Sequence, residues 1–266
     1  MIEARSVCVN YGEVNALNNV SLIMRDGEFT AVLGANGAGK STLLKVLTGF
    51  LRPSSGEVFF GGKPLREISA RGLALRRSVL EQETHSEFDC AVFEMLSFGG
   101  FARGGVFCAA PGEGGRICSA LEKVGLFGVE DRKYSELSGG QKRRVQLARA
   151  IFQLEDGGEM AGKGLFLDEP SAGLDPSHAH CAMRAVCEMC ARGVSAFAVL
   201  HDPNLALAYA DNCLLLKGGE PFLFGRAEEV LTAQNLSEIY DSECEEVFTA
   251  RGKFVVFPGT RASRQT

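Results

Sequence analysis

With 266 residues, 45% of them hydrophobic and 23% charged, the chain has the composition of an ordinary globular protein near the upper size of one domain. Its net charge of −5 leaves no polybasic footprint, which argues against a nucleic-acid partner. No apolar run approaches the ~20 residues needed to cross a bilayer, and the opening "MIEARSVCVNYG" lacks an apolar leader core, so a cytoplasmic location is expected.

In chain order, "TAVLG" (Thr30–Gly34) reads as a buried parallel strand, because its apolarity is continuous rather than alternating. "STLLKVLTGF" follows as a helix. "EVFFGGKPL" has a glycine turn between apolar runs and reads as antiparallel strands. Residues 85–160 form a mainly helical insert, in which the glycine-rich Gly99–Gly115 reads as a mobile loop. In "GQKRRVQLARAIFQL", Val145, Ala148, Ile151 and Phe152 share one helical face, while Arg143, Arg144 and Arg149 read as a solvated basic face.

Two further buried strands are "GLFLD" (Gly164–Asp168) and "AFAVLH" (Ala196–His201). Asp175-Pro176 and Asp202-Pro203 each place an N-cap acid before a first-turn proline. The helix "HAHCAMRAVCEMCARG" has small apolar residues on one face. Cys187 and Cys190 are therefore read as core residues, and His178 and His180 as polar residues of the first turns. The nine cysteines are scattered, and in a cytosolic chain they stay reduced. "CLLLKGGEPFLF" and "VFTARGKFVVF" read as further antiparallel pairs. The expected fold is α/β: a phosphate-loop ATPase core with a parallel sheet, an antiparallel β part and a helical insert. It forms one domain over residues 1–266, with residues 1–84 and 161–266 as the core and 85–160 as the helical part.

The chemistry is concentrated in "GANGAGKST", which fits G-x-x-x-x-G-K-[ST] between a strand and a helix. The backbone of Gly34, Ala35, Asn36, Gly37, Ala38, Gly39, Lys40, Ser41 and Thr42 can curl round phosphate oxygens. Lys40 would reach the β- and γ-phosphates of ATP, and the Ser41 hydroxyl would bind Mg²⁺. "GLFLDEP" ends its strand in two acids, with Asp168 suited to holding Mg²⁺ and Glu169 to polarising an attacking water. A second anion site is written in "ELSGGQKRR", where Ser138, Gly139, Gly140 and Gln141 open a helix with bare backbone N–H groups.

Taken with the phosphate loop, "LSGGQ" resembles the signature of ABC-type ATPases, and the rest of that family's pattern follows in order over nearly the whole chain. Tyr11 in "VNYG" resembles the aromatic that stacks on adenine, although alone it reads equally as an ordinary strand residue. Gln82 in "VLEQE" resembles the Q-loop glutamine near Mg²⁺; alone it would be a surface residue. "SAGLD", ending at Asp175, looks like the D-loop, and His201 in "AVLHD" like the switch histidine at the γ-phosphate. The resemblance implies a head-to-tail homodimer, in which each phosphate loop faces the other copy's signature. It also implies two membrane permease subunits, a periplasmic or surface binding protein acting indirectly, and a peripheral place on the cytoplasmic face of the inner membrane.

Within the family, "LALRRSVLEQ", the insert "QLEDGGEMAGKG" and the closing "GRAEEVLTAQNLSEIYDSECEEV" are similar to ATPase subunits of importers for hemin, iron–siderophore chelates and cobalamin. Hemin is the favoured cargo, although Glu81 replaces a proline of that pattern. Phe88, Val92, Phe93 and Leu96 are read either as an apolar groove for a permease helix or as the insert's own core. A chromosome-maintenance ABC ATPase would need long heptads that the insert lacks. A translation-type factor would carry two cassettes, and a small-molecule kinase would leave the signature unexplained.

Overall fold

The computed structural model describes residues 1–82, 89–104 and 113–258. Two long strands open the chain, β1 (Ile2–Tyr11) and β2 (Val14–Met24), followed by β3 (Phe29–Leu33) and α1 (Lys40–Leu47). After β4 (Ser55–Phe60), β5 (Lys63–Pro64), α2 (Ala70–Ala74) and β6 (Arg77–Leu80) come α3 (Val92–Ser97), α4 (Glu113–Lys123) and α5 (Gly139–Leu154). Strands and helices then alternate as β7 (Gly164–Asp168), α6 (Pro176–Ala191), β8 (Ser195–Val199), α7 (Pro203–Tyr209) and β9 (Asn212–Lys217). The last elements are β10 (Glu220–Arg226), α8 (Ala227–Val230), α9 (Ala233–Tyr240), β11 (Glu245–Thr249) and β12 (Gly252–Val256).

The central sheet has the order β10-β9-β3-β8-β7-β6, parallel from β9 to β6 with β10 antiparallel at one edge. Its strands are apolar without alternation because both faces are covered. Ala31, Leu33, Leu165, Leu167, Ala196 and Ala198 point into a core shared with α3 to α7. Their neighbours Val32, Phe166, Phe197 and Val199 point into a second core, filled by α1 and the antiparallel sheet β2-β1-β4-β5. The period-two geometry of a strand thus divides one apolar run between two cores. The caps expected from sequence form as written: Asp175 accepts from the His178 N–H and Asp202 from the Asn204 N–H. Cys190 is buried on α6, its thiol pushed up to about 12 by that burial, and Cys187 packs against the same core.

Several expectations are corrected. The hairpin "CLLLKGGEPFLF" is antiparallel within itself, yet β9 also pairs in parallel with β3 and so belongs to the central sheet. Part of the glycine-rich stretch is ordered rather than loop: Phe98–Arg103 forms a 3₁₀ turn and α4 begins at Glu113, while residues 105–112 lie outside the described residues. Gly99 serves close packing there, since a Cβ would meet the Arg149 carbonyl at 3.0 Å and the Phe152 ring at 3.2 Å.

Of the two readings left open for α3, the insert's own core holds for Val92 and Leu96 rather than the groove. Both are fully buried in the shared core, because their spacing on one helical turn faces them inward, and Phe93 packs partly buried beside them; Phe88 lies outside the described residues. Nor are the α5 arginines a solvated face. Arg143 and Arg144 are buried and Arg149 is half-buried, because α5 is packed against α3, α4 and β6. Arg144 spends its charge on backbone, donating from Nη1 to the carbonyls of Val124 (3.2 Å) and Gly125 (2.8 Å).

Truncating a core side chain that cannot be refilled costs about 2–5 kcal/mol. Leu96→Ala is therefore expected to lower the unfolding free energy by that amount in denaturant melts. A loss well under about 1 kcal/mol would instead place Leu96 on a solvent-facing groove.

Candidate active site

The phosphate loop joins β3 to α1, and its shape follows from its glycines. Gly39 caps α1 with φ +98°, a conformation that side chains avoid, and a Cβ there would sit 2.6 Å from the Ala16 carbonyl. That contact brings the β1–β2 hairpin against the loop, and the Gly219 N–H donates to the Ala38 carbonyl from the other side (3.2 Å). Ala35, Asn36 and Gly37 remain exposed at the loop's crest, while Ala38 is buried beneath them and Thr42 is half-buried on α1.

Lys40 is buried and folds back under this crest. Its ammonium donates to the carbonyls of Gly34 (2.7 Å) and Ala35 (2.9 Å). Burial pulls its pKa down, and the carboxylates of Glu169 and Asp168 oppose that. Ser41, one residue on, donates from Oγ to Asp168 Oδ1 at 3.3 Å. Asp168 itself is buried at the end of β7. Desolvation raises its pKa, against the lowering effect of the Ser41 hydrogen bond. A hydroxyl beside a buried carboxylate is a hard oxygen donor pair, the chemistry that Mg²⁺ takes.

Glu169 leaves the strand by a left-handed turn with φ +53°, rare for a residue that carries a side chain. Its N–H is held by the Val199 carbonyl (3.1 Å). The carboxylate meets two groups from distant segments. His201 Nε2 lies 2.6 Å from Oε1, a spacing that puts the ring proton on Nε2 while the carboxylate is ionised, and Gln82 Nε2 donates to the same oxygen at 3.3 Å. The three side chains expected to act in catalysis, Gln82, Glu169 and His201, are thus brought together. Beside them stand Lys40, Ser41 and Asp168.

Ser138 caps α5 in a reciprocal box: its Oγ accepts from the Gln141 N–H (3.3 Å) and Gln141 Oε1 accepts from the Ser138 N–H (3.0 Å). The first-turn N–H groups of Gly139 and Gly140 have no acceptor within the helix. These glycines line a hollow with Gln82, Tyr134, Ala172 and Gly173, a set that contains no residue of the phosphate loop. Asp175 is committed elsewhere. It caps α6 and its Oδ2 lies 2.6 Å from His178 Nδ1, so its carboxylate serves its own helix. Tyr11 is half-exposed at the end of β1, on the hairpin that touches Gly39, and faces Val14 across the turn.

One further residue, not assigned to the site from sequence, reaches this cluster. Arg143 reaches from α5 to the backbone of both Gln82 (3.1 Å) and Glu169 (2.9 Å). The sign of it in the sequence is weak: Arg143 is the second of three basic residues that follow the signature, where nothing local tells a buried guanidinium from a solvated one.

Residues 17–172 match the ABC transporter family. The chain is 37% identical over 241 residues to the hemin import ATP-binding protein HmuV of Hahella chejuensis, covering 90% of this chain and 92% of that protein. It is 41% identical over 227 residues to HmuV of Deinococcus radiodurans, covering 85% of each. Among solved structures, a dimeric bacterial ABC transporter cassette superposes with a TM-score of 0.73 at 26% identity, covering 85% of this chain and 99% of that one. On the match over its phosphate loop, catalytic strand and signature, and on relatives aligned over most of its length, the chain belongs to the ABC transporter family as an ATP-binding, ATP-hydrolysing cassette.

Proposed function

We propose that this cassette powers hemin import through a separate permease and works as a head-to-tail homodimer on the cytoplasmic face of the membrane. The observation that carries the catalytic part is Glu169, held by His201 and Gln82 beside Lys40, Ser41 and Asp168. The cargo reading is supported by relatives named as hemin import proteins that align over most of their length, and by the closing segment of the chain. No helix among the described residues is long and apolar enough to cross a membrane, so the path itself falls to partner subunits.

In this reading the loop N–H groups from Gly34 to Thr42 and the Lys40 ammonium bind the β- and γ-phosphates, and Tyr11 stacks on the adenine. Ser41, Asp168 and Gln82 would hold Mg²⁺, which when bound neutralises phosphate charge. Glu169 takes the proton of the attacking water, and His201 orients the Glu169 carboxylate and reaches the γ-phosphate. Asp175 contributes through the loop before α6 rather than through a free carboxylate. The signature hollow contains no phosphate-loop residue, which supports a shared site: Ser138–Gln141 of a second copy would close on the triphosphate with the first-turn N–H groups of α5. Residues 1–84 and 161–266 would act as the nucleotide-binding core and residues 85–160 as the helical part that carries the signature to the neighbour.

Removing a general base costs about 10²–10⁴-fold in rate. Glu169→Gln is expected to retain ATP and to hydrolyse it at least about a hundredfold more slowly, trapping a dimer in size-exclusion chromatography. Hydrolysis at the wild-type rate would refute the base assignment. Lys40→Ala loses charged hydrogen bonds worth about 1.5–3 kcal/mol, so its ATP affinity should fall about tenfold or more in equilibrium titration. A hydrolysis rate that rises with the square of protein concentration at limiting dilution tests the shared site; a first-order dependence would overturn it. Uptake of hemin, and not of a ferric siderophore or cobalamin, by vesicles that hold the cognate permease and binding protein tests the cargo.

A further inference from the structure

We propose that Arg143 is a positioning residue for ATP hydrolysis, its guanidinium tying the loop that carries Gln82 to the strand end that carries Glu169. From one terminal nitrogen, Nη1, it donates to the carbonyls of Glu81 (2.6 Å) and Gln82 (3.1 Å). From the other, Nη2, it donates to the carbonyls of Asp168 and Glu169, the latter at 2.9 Å. The two terminal nitrogens carry four N–H donors, and these meet four backbone acceptors drawn from two segments 87 residues apart. A planar fork can bridge two strands' ends in this way, whereas an ammonium is a single point.

The placement bears on chemistry rather than on packing alone. Glu169 keeps its carboxylate against His201 and Gln82 only while its backbone stays in the left-handed turn, a conformation that persists where the surroundings over-determine it. Its N–H is fixed by Val199 and its carbonyl by Arg143. The same guanidinium fixes the main chain of Gln82, whose side chain donates to the Glu169 carboxylate. Arg143 also stands on the helix that Ser138 opens, so a shift of the signature turn is transmitted through one rigid side chain to both groups at once. Arg144, its neighbour, donates among the described residues to the Val124 and Gly125 carbonyls, away from both segments.

This inference rests on the reading of Glu169 as the base. The test uses the full-length protein with Arg143→Lys, which keeps the charge but not the fork, and Arg143→Gln, which keeps neither. Displacement of a catalytic group by about 1 Å costs about a hundredfold, so both variants are expected to lose about 10–100-fold in kcat. KM and the equilibrium ATP affinity should stay within about threefold, as for an interaction expressed in the transition state. Hydrogen exchange should quicken in peptides covering Val79–Gln82 and Leu167–Pro170 and stay unchanged in β8. Wild-type kcat in Arg143→Lys would overturn the proposal. So would an equal loss in affinity, faster exchange throughout, or failure of the variants to fold, each of which makes Arg143 a general structural residue. Glu169→Gln measured alongside separates the two claims. If it hydrolyses normally the base assignment falls, whereas if it is inactive while the Arg143 variants are normal, only the positioning role falls.

Discussion

Three parallel strands that stop at one edge of a doubly covered sheet are what the rest of this structure depends on. In the order β3-β8-β7, Val32, Val199 and Asp168 lie in a single register row. The residues that follow leave the sheet at the same level: the phosphate loop after Leu33, His201 after Leu200, and Glu169 after Asp168. Parallel pairing imposes this, because strands running the same way deliver their carboxyl ends to one side, the edge at which such sheets bind ligands. Groups far apart in sequence therefore meet without any local signal that they should.

The edge carries charge that a core would not tolerate, and the backbone absorbs most of it. Lys40 donates to loop carbonyls and Arg143 to carbonyls of two segments, while the Asp168 carboxylate accepts from the Ser41 hydroxyl. Buried charges persist when their hydrogen bonds are filled, and a carbonyl fills a donor without cancelling the charge. The local field thus stays available to a triphosphate. A different solution appears away from the site, where the Glu155 carboxylate accepts from both Lys123 and Arg192 and offsets part of their charge, as suits a structural contact.

The signature turn is complete as a helix start and incomplete as a binding site. Its serine and glutamine satisfy one another, so the turn is rigid before any ligand arrives. Among the described residues, what remains free is the pair of glycine N–H groups, and the hollow around them is lined by Gln82, Tyr134, Ala172 and Gly173. Each chain thus carries two anion-binding elements, the phosphate loop and this helix end, and no residue of the first lines the hollow of the second.

Much of the fold and most of the site were legible in the sequence, because their causes are local. A glycine-rich loop between strand and helix, an acid pair closing an apolar strand, and an aspartate before a proline each act through neighbouring residues, and each appears where it was expected. Other features were decided only by tertiary packing. Whether Val92 and Leu96 face a groove or a core depends on α5 lying over them, and whether β9 joins the central sheet depends on β3 being beside it. The left-handed turn at Glu169 and the reach of Arg143 to Glu81, Gln82 and Asp168 likewise follow from segments brought together across the sheet edge. Residue identity and short-range spacing determine which groups are present and in what local geometry. Which of them touch is settled by how apolar faces stack, a property of the assembled layers that no contiguous stretch contains.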